Sequence, residues 1–250
     1  MAKRLDGKVA VVTGSTRGIG EAIARRLTAD GASVVVSGID IGDGERVAAE
    51  IGGTFVEADV RSPEQCEGLA RTAFERHGRL DILVNNAGVF PSLSLEHSTA
   101  AAWDDIFDIN ARGAHLCSRA AVPYLRRGNG GAIVNIGTTH AYRSQEDRIV
   151  YAASKGALLS LTKAMASAFA RDRIRCNWIT VGWVASPGEI ALRDALNGDG
   201  VSFLEEHSNR APFGRIETPE DIAAGVAYLV SDDAAHVTGC ELNISGGMWI

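Results

Sequence analysis

The 250-residue chain predicts an α/β domain doubly wound about a mostly parallel sheet. Three observations carry that expectation. Short β-branched runs alternate with amphipathic or Ala-rich stretches of helical length from one end of the sequence to the other. The runs are almost continuously apolar, the pattern of strands buried on both faces. Polar and glycine-rich clusters follow the first, fourth, fifth and sixth runs, and in such sheets ligands bind at that edge. No linker, repeat or low-complexity stretch breaks the alternation, so residues 1–250 are expected to form one domain.

Lys8 to Thr13 (Lys-Val-Ala-Val-Val-Thr) reads as the first strand. Gly14-Ser15-Thr16-Arg17-Gly18-Ile19-Gly20 follows at once, then the amphipathic stretch Glu21 to Ala29 and a second strand, Ser33 to Ser37. A strand, a glycine turn and a helix together cradle a phosphate. The glycines let backbone approach closely, and free N–H groups at the helix start face the anion. Helices are expected at Asp43 to Ile51, Pro63 to His77, Thr99 to Ala111 and Ala114 to Arg127. Strands are expected at Thr54 to Ala58, Asp81 to Val84 and Ala132 to Ile136. Later come a strand at Ile174 to Val181, a helix at Pro219 to Val230 begun by Thr218-Pro219, and a short strand at Glu241 to Ile244. The polar stretch Pro187 to Pro212, with helical patches, reads as a mobile substrate flap at about 185–213.

The stretch Tyr151 to Lys155 opens an apolar run, rich in Ala, Leu and Met, that extends to Ala170 and is helical by composition and length. Residues four apart share a helix face, so the Tyr151 phenol and the Lys155 ammonium point the same way. A cation beside a phenol lowers a pKa that starts near ~10, and a phenol so tuned exchanges a proton near neutral pH. Taken alone, the pair is better read as two residues that merely share a face.

Charge and composition exclude other classes. Net charge is -6 with no basic block, which argues against a nucleic-acid surface. No apolar run is long enough to span a membrane, and the first residues, Met1 to Asp6, carry no hydrophobic signal segment. Cys66, Cys117, Cys176 and Cys240 are scattered and read as reduced thiols of a cytoplasmic protein. The six histidines lack ligand spacing, so no metal is expected.

Several motifs in order, Thr13-Gly14-x-x-x-Gly18-x-Gly20, Asn85-Asn86-Ala87-Gly88, Asn110, Tyr151-x-x-x-Lys155, and Asn177 with Gly182, resemble the short-chain dehydrogenase/reductase family over nearly the whole chain. The resemblance implies a Rossmann-type, seven-stranded sheet with helices on both faces, a nicotinamide cofactor (NAD or NADP), reversible carbonyl–alcohol chemistry on a small molecule, and a homotetramer. It implies that Tyr151 moves the proton, Lys155 lowers its pKa and binds the nicotinamide ribose, and Asn110 supports the active-site helix and a water relay. It further implies a pyrophosphate cradle of Gly14, Gly18 and Gly20 with Thr16, Arg17 and Ile19 of the same turn. Asp59 and Val60 would meet the adenine, Asn86, Ala87 and Gly88 the adenosine and ribose, and the Val184 backbone the carboxamide.

The chain departs from that family pattern in four places. Thr138 stands thirteen residues before Tyr151, where the family carries serine. Its hydroxyl makes the same hydrogen bond, but its methyl is bulkier and its rotamers fewer, so retained activity and a narrower pocket are expected over a dead enzyme. The second strand ends Ser37-Gly38-Ile39-Asp40, without the family's NAD-selecting acid at Gly38 or NADP-selecting Arg at Ile39. Arg17 is placed to meet a 2′-phosphate or to lie in solvent. Asp40, two residues late, tips the expectation slightly towards NAD. Val181-Gly182 replaces Pro-Gly, and Ser245 replaces the acid before the final Gly-Gly.

The substrate pocket is expected from the loop Thr138 to Val150, from Phe90-Pro91-Ser92 and from the flap, including Trp183. His140, Arg143 and Arg148 make the first loop polar, which suits a sugar, polyol or sugar acid, with an Arg fork for a carboxylate. Two alternatives stand beside this. One is a 3-oxoacyl-type or other carbonyl reductase using NADPH, whose acidic carrier would meet Arg126-Arg127 or Arg171 and Arg173. The other is a non-catalytic dinucleotide-binding regulatory relative.

Overall fold

The structure, a computed structural model, describes residues 4–248, apart from the side chain of Asn197. Seven strands form one parallel sheet in the order β3-β2-β1-β4-β5-β6-β7. They are β1 (Val9–Thr13), β2 (Ser33–Gly38), β3 (Thr54–Glu57), β4 (Ile82–Asn85), β5 (Gly131–Ile136), β6 (Ile174–Val181) and β7 (Glu241–Ile244). The order reverses beside β1, which puts the topological switch between β1 and β4.

Side-chain alternation builds a core on each face. Ala10, Val12, Val34, Val36, Ile82 and Val84 pack with α1 (Gly18–Ala29), α2 (Ile41–Ile51) and α9 (Pro219–Val230). Val9, Val11, Val35, Leu83 and Ile133 pack with α3 (Pro63–His77), α5 (Ala114–Arg127) and the end of α6 (Ile149–Ala168). This two-sided burial is why the strand sequences are apolar throughout rather than alternating.

A polar ladder crosses the second core and sets α6 on the sheet. Asn85 Nδ2 donates to Asn135 Oδ1 at 2.8 Å and to Ser118 Oγ at 3.0 Å. Asn135 Nδ2 donates to Thr162 Oγ1 at 2.7 Å, and that hydroxyl donates to the Leu158 carbonyl. Buried amides tolerate few alternative arrangements, because an unmade bond there costs about 1–3 kcal/mol. The ladder therefore fixes the position of the helix that carries Tyr151.

Some boundaries differ from the sequence reading. α6 begins at Ile149 and ends at Ala168, two residues away from the expected span at either end. The stretch read as a flap folds into α7 (Pro187–Asn197) and α8 (Gly200–Ser208). Ser186 Oγ caps the first at the Glu189 N–H, and Asp199 caps the second at the Ser202 N–H. The helix expected at 99–111 divides into α4 (Ala100–Phe107) and a π-helical turn, Asp108–Gly113, that runs directly into α5. All four cysteines are free thiols, with the Sγ atoms of Cys66 and Cys117 at 3.5 Å. Among the described residues no helix is long and apolar enough to cross a membrane, and no cluster of His, Cys, Asp and Glu is arranged to hold a metal.

Candidate active site

A cavity of about 1120 Å³ opens at the C-terminal ends of β1, β4, β5 and β6. It exceeds the roughly 300–1,000 Å³ of a single-ligand pocket and has room for a dinucleotide and a second molecule. Gly14, Gly18 and Gly20 form one end. Gly14 and Gly18 both have φ +60°, which glycine adopts without penalty. A Cβ on Gly14 would lie 2.8 Å from Ala87 Cα, and one on Gly20 would lie 2.2 Å from the Gly14 carbonyl. Asn86 locks the turn: its Nδ2 donates to the carbonyls of Thr13 and Gly14, and the N–H groups of Asn86 and Ala87 donate to Thr13 Oγ1. The Asn86 amide thus shapes the cradle as well as lining the cavity. α2 and α3 are capped by side chains, whereas α1 has none at Arg17. A helix start without a cap, reached by a glycine turn, fits a pyrophosphate.

The wall beyond the glycine turn, where the adenosine is expected, is lined by Thr16, Arg17, Ile19, Gly38, Ile39, Asp59, Val60, Ala87 and Gly88. Arg61 holds the Asp59 carboxylate, with Nη2 at 2.6 Å from Oδ2, and keeps its pKa below the usual range. Asp40 is not brought to the cavity. Its carboxylate accepts the Asp43 N–H at 3.1 Å and caps α2, so the acid behind the expected lean to NAD serves a helix end instead.

At the other end, Thr138, Tyr151 and Lys155 line the same cavity. Burial pushes the Tyr151 phenol up to about 12, against a hydrogen bond from Thr138 and the charge of Arg148. Burial lowers the Lys155 ammonium to about 8. The Lys155 Nζ donates to the Ile136 carbonyl at 2.8 Å, and no hydrogen bond joins it to the phenol among the described residues. Asn110, in the π turn, is buried. Its Oδ1 accepts the Val89 N–H, and its Nδ2 donates to the Val89 carbonyl and to Ser154 Oγ. Those bonds tie the turn to α6 one residue before Lys155. A Cβ on Gly88 would meet Asn110 Oδ1 at 3.1 Å and Lys155 Nζ at 3.5 Å, so glycine there keeps the gap between them open.

Of the expected substrate residues, His140, Arg148 and Trp183 line the cavity. The His140 ring stands edge-on to Tyr151 at 5.9 Å, and burial, then the Arg148 charge, lowers its pKa. Arg143 does not join them: it is exposed and outside the cavity lining. Val184 lies on the wall, bridged in parallel to Glu217. A cluster absent from the sequence reading closes the flap side. Glu189 Oε1 accepts from Trp183 Nε1 and Arg193 Nε, each at 2.7 Å, and Arg193 lies over the Trp183 and Phe203 rings. His207 stacks on Phe203. Glu189 and Arg193 are four apart on a helix, a spacing visible in the sequence, but the meeting with α8 is long-range.

Glu217 was also not singled out. It is buried, and neither carboxylate oxygen has a hydrogen-bond partner among the described residues. A Cβ on Gly182 would lie 2.7 Å from its Oε1 and 2.9 Å from Ser245 Cα. Burial raises its pKa above the ordinary 4.5. The unfolded chain then loses this proton before the folded one, so stability falls as pH rises from about 4.5 towards the folded pKa. Glu217→Gln is therefore expected to raise Tm by roughly 2–4 °C at pH 8, the shift for about 1 kcal/mol in a chain of this size, with no gain at pH 4. A melting curve at pH 8 no higher than wild type sinks this account.

A family model described as Enoyl-(Acyl carrier protein) reductase matches residues 14–249. The 7alpha-hydroxysteroid dehydrogenase of Clostridium sardiniense is 38% identical, covering 98% of this chain and 94% of its own. The L-fucose dehydrogenase of Oryctolagus cuniculus is also 38% identical, covering 98% and 86%. The L-sorbose reductase of Gluconobacter frateurii, solved with NADPH and L-sorbose, superposes with a TM-score of 0.92 at 29% identity, covering 100% of this chain and 99% of that one. With its motifs on one cavity of a parallel seven-stranded sheet, the chain belongs to the short-chain dehydrogenase/reductase family, as an oxidoreductase acting on CH–OH groups.

Proposed function

We propose that this chain interconverts a secondary alcohol and a ketone on a small polar substrate, with a nicotinamide dinucleotide as redox partner and Tyr151 as the proton carrier. The observation that carries the proposal is a single cavity with the glycine cradle at one end and the Thr138 hydroxyl, Tyr151 phenol and Lys155 ammonium at the other. When bound, the nicotinamide supplies or accepts the hydride; the chain positions the substrate and moves the proton. Gly14, Gly18 and Gly20 would hold the pyrophosphate and Lys155 the ribose. Tyr151 Oη gives its proton to the carbonyl oxygen in reduction and takes the hydroxyl proton in oxidation. A phenol pushed up to about 12 is protonated at neutral pH, so reduction needs no prior ionisation.

For the cofactor we infer that both forms are accepted. With Asp40 engaged on α2 and glycine at position 38, no carboxylate of the second strand's end repels a 2′-phosphate, and Arg17 lines that end. Titration with NADH and NADPH, then rates over sugars, polyols, sugar acids and apolar ketones, tests the whole reading. Clearly faster turnover of the apolar ketones overturns the polar substrate. Dinucleotide binding without turnover of any of them favours the regulatory alternative. Arg126 pairs with Asp172, and Arg127 lies over Phe74 and Tyr124, so neither stands as a free basic rim for an acidic carrier.

Thr138 is one of the four departures from the family pattern, and it is buried against the phenol. Thr138→Ser is expected to keep kcat within about 3-fold, whereas Thr138→Ala is expected to lose roughly 10²-fold, the scale of one donor to a developing oxyanion. An alanine variant as fast as wild type removes the hydroxyl from the mechanism.

A further inference from the structure

We infer that the substrate is a small hydroxy acid, or the corresponding keto acid, whose carboxylate is held by the Arg148 guanidinium; this rests on the reading of the cavity as a dehydrogenase site. Arg148 is 6% exposed, yet it lines the cavity three residues before Tyr151, at the start of α6. Among the described residues its guanidinium makes one hydrogen bond: Nη1 donates to the Phe90 carbonyl at 2.6 Å. The nearest carboxylate, Asp147, lies 3.8 Å from Nε, too far for a hydrogen bond, and instead accepts from Ser92 Oγ. Nη2 makes no hydrogen bond among the described residues.

An arginine stays charged whatever its surroundings, and a buried charge whose ion-pair partner stands off at 3.8 Å with no hydrogen bond between them is costly. A cation at a helix N-terminus is also opposed by the helix dipole. The bond to the Phe90 carbonyl uses one edge of the guanidinium, whereas an anion in the cavity relieves both penalties. The fork with its free edge suits a planar carboxylate. Glu189 and Arg193 also line this side and pair with each other at 2.7 Å, so their charges offset one another. Arg148, the N-cap of α6, and Tyr151 line the same cavity three residues apart in the chain, which sets the carboxylate near the carbon that reacts at Tyr151. A small hydroxy acid suits that placing. In its oxidation the carbinol carbon gives a hydride to NAD(P)+ and the hydroxyl gives its proton to Tyr151, while the carboxylate is unchanged.

The test compares acids with their neutral isosteres on the full chain. Rates for glycerate, 3-hydroxybutyrate and gluconate are set against the corresponding carboxamides, and malonate is titrated into the NADH complex, followed by NADH fluorescence. Wild type is expected to prefer acid over amide by about 10- to 100-fold in kcat/KM, the value of a charge-assisted pair. The preference should collapse in Arg148→Gln and be partly kept in Arg148→Lys, with malonate binding weakened in step. Equal rates for acids and amides in wild type, an acid preference that survives in Arg148→Gln, or no binding of malonate to the wild-type NADH complex each overturns the inference. Turnover of neutral alcohols alone leaves the dehydrogenase reading standing and removes the carboxylate; failure to bind either dinucleotide removes both.

Discussion

Tyr151→Phe is expected to lower kcat by about 10³-fold or more while the Kd for NADH changes by less than about 3-fold. The substitution removes one oxygen and leaves the ring, which packs edge-on to His140. The cradle lies at the other end of the cavity and touches neither. Steady-state rates and a fluorescence titration separate the two effects, and a variant retaining more than a few per cent of wild-type kcat refutes the assignment. The same phenol sets the pH dependence. It is pushed up to about 12, so the phenolate fraction grows as pH rises through the alkaline range. Alcohol oxidation, which needs the base form, should then accelerate with pH, and ketone reduction, which needs the acid form, should slow. Phe at this position should flatten both profiles.

Gly20→Ala is expected to weaken dinucleotide binding by at least about 100-fold and to cost roughly 1–3 kcal/mol of stability. The added Cβ would fall 2.2 Å from the Gly14 carbonyl, 2.5 Å from Asn86 Nδ2 and 2.8 Å from Ser15 Cα. Two of those atoms are backbone, so the cradle itself must shift, and the Asn86 bonds that lock it must break. A Kd for NADH unchanged in this variant, with the fold intact by circular dichroism, dissociates the glycine turn from the cofactor.

The centre of the sheet was legible because β1 and β2 are buried on both faces and so are written as nearly continuous β-branched runs. The centre of the site was legible for a related reason: its groups sit at fixed spacings on regular elements, as Tyr151 and Lys155 do on α6. Directions of side chains in irregular segments were not. Arg143 and Arg148 are five residues apart in one polar loop, and nothing local says that the first turns to solvent and the second into the cavity. Asp40 carried a missed signal, since an aspartate three residues before Asp43 at a helix start is a capping pattern, and the cap claims its carboxylate. Lys155 could not be placed from spacing alone, because its long side chain chose the Ile136 carbonyl over the phenol it accompanies. Glu217 and the Trp183, Glu189 and Arg193 cluster depend on where distant segments meet, which no sequence period encodes.

The π turn at Asp108–Gly113 has a bearing on chain length. Such a turn holds one residue more than an ideal helix would over the same rise. Removing a single residue from it would let α4 and α5 join as one regular helix, with every backbone bond made, so the shorter chain would fold. Each residue of a helix advances the direction of its side chain by about 100°, so the deletion would swing the asparagine away from Val89 and Ser154. The extra residue is thus a device that aims one amide at the cost of helical regularity. A deletion made there would leave a folded chain with a continuous helix, at some cost in stability for the buried amide left unpaired, and catalysis would be lost.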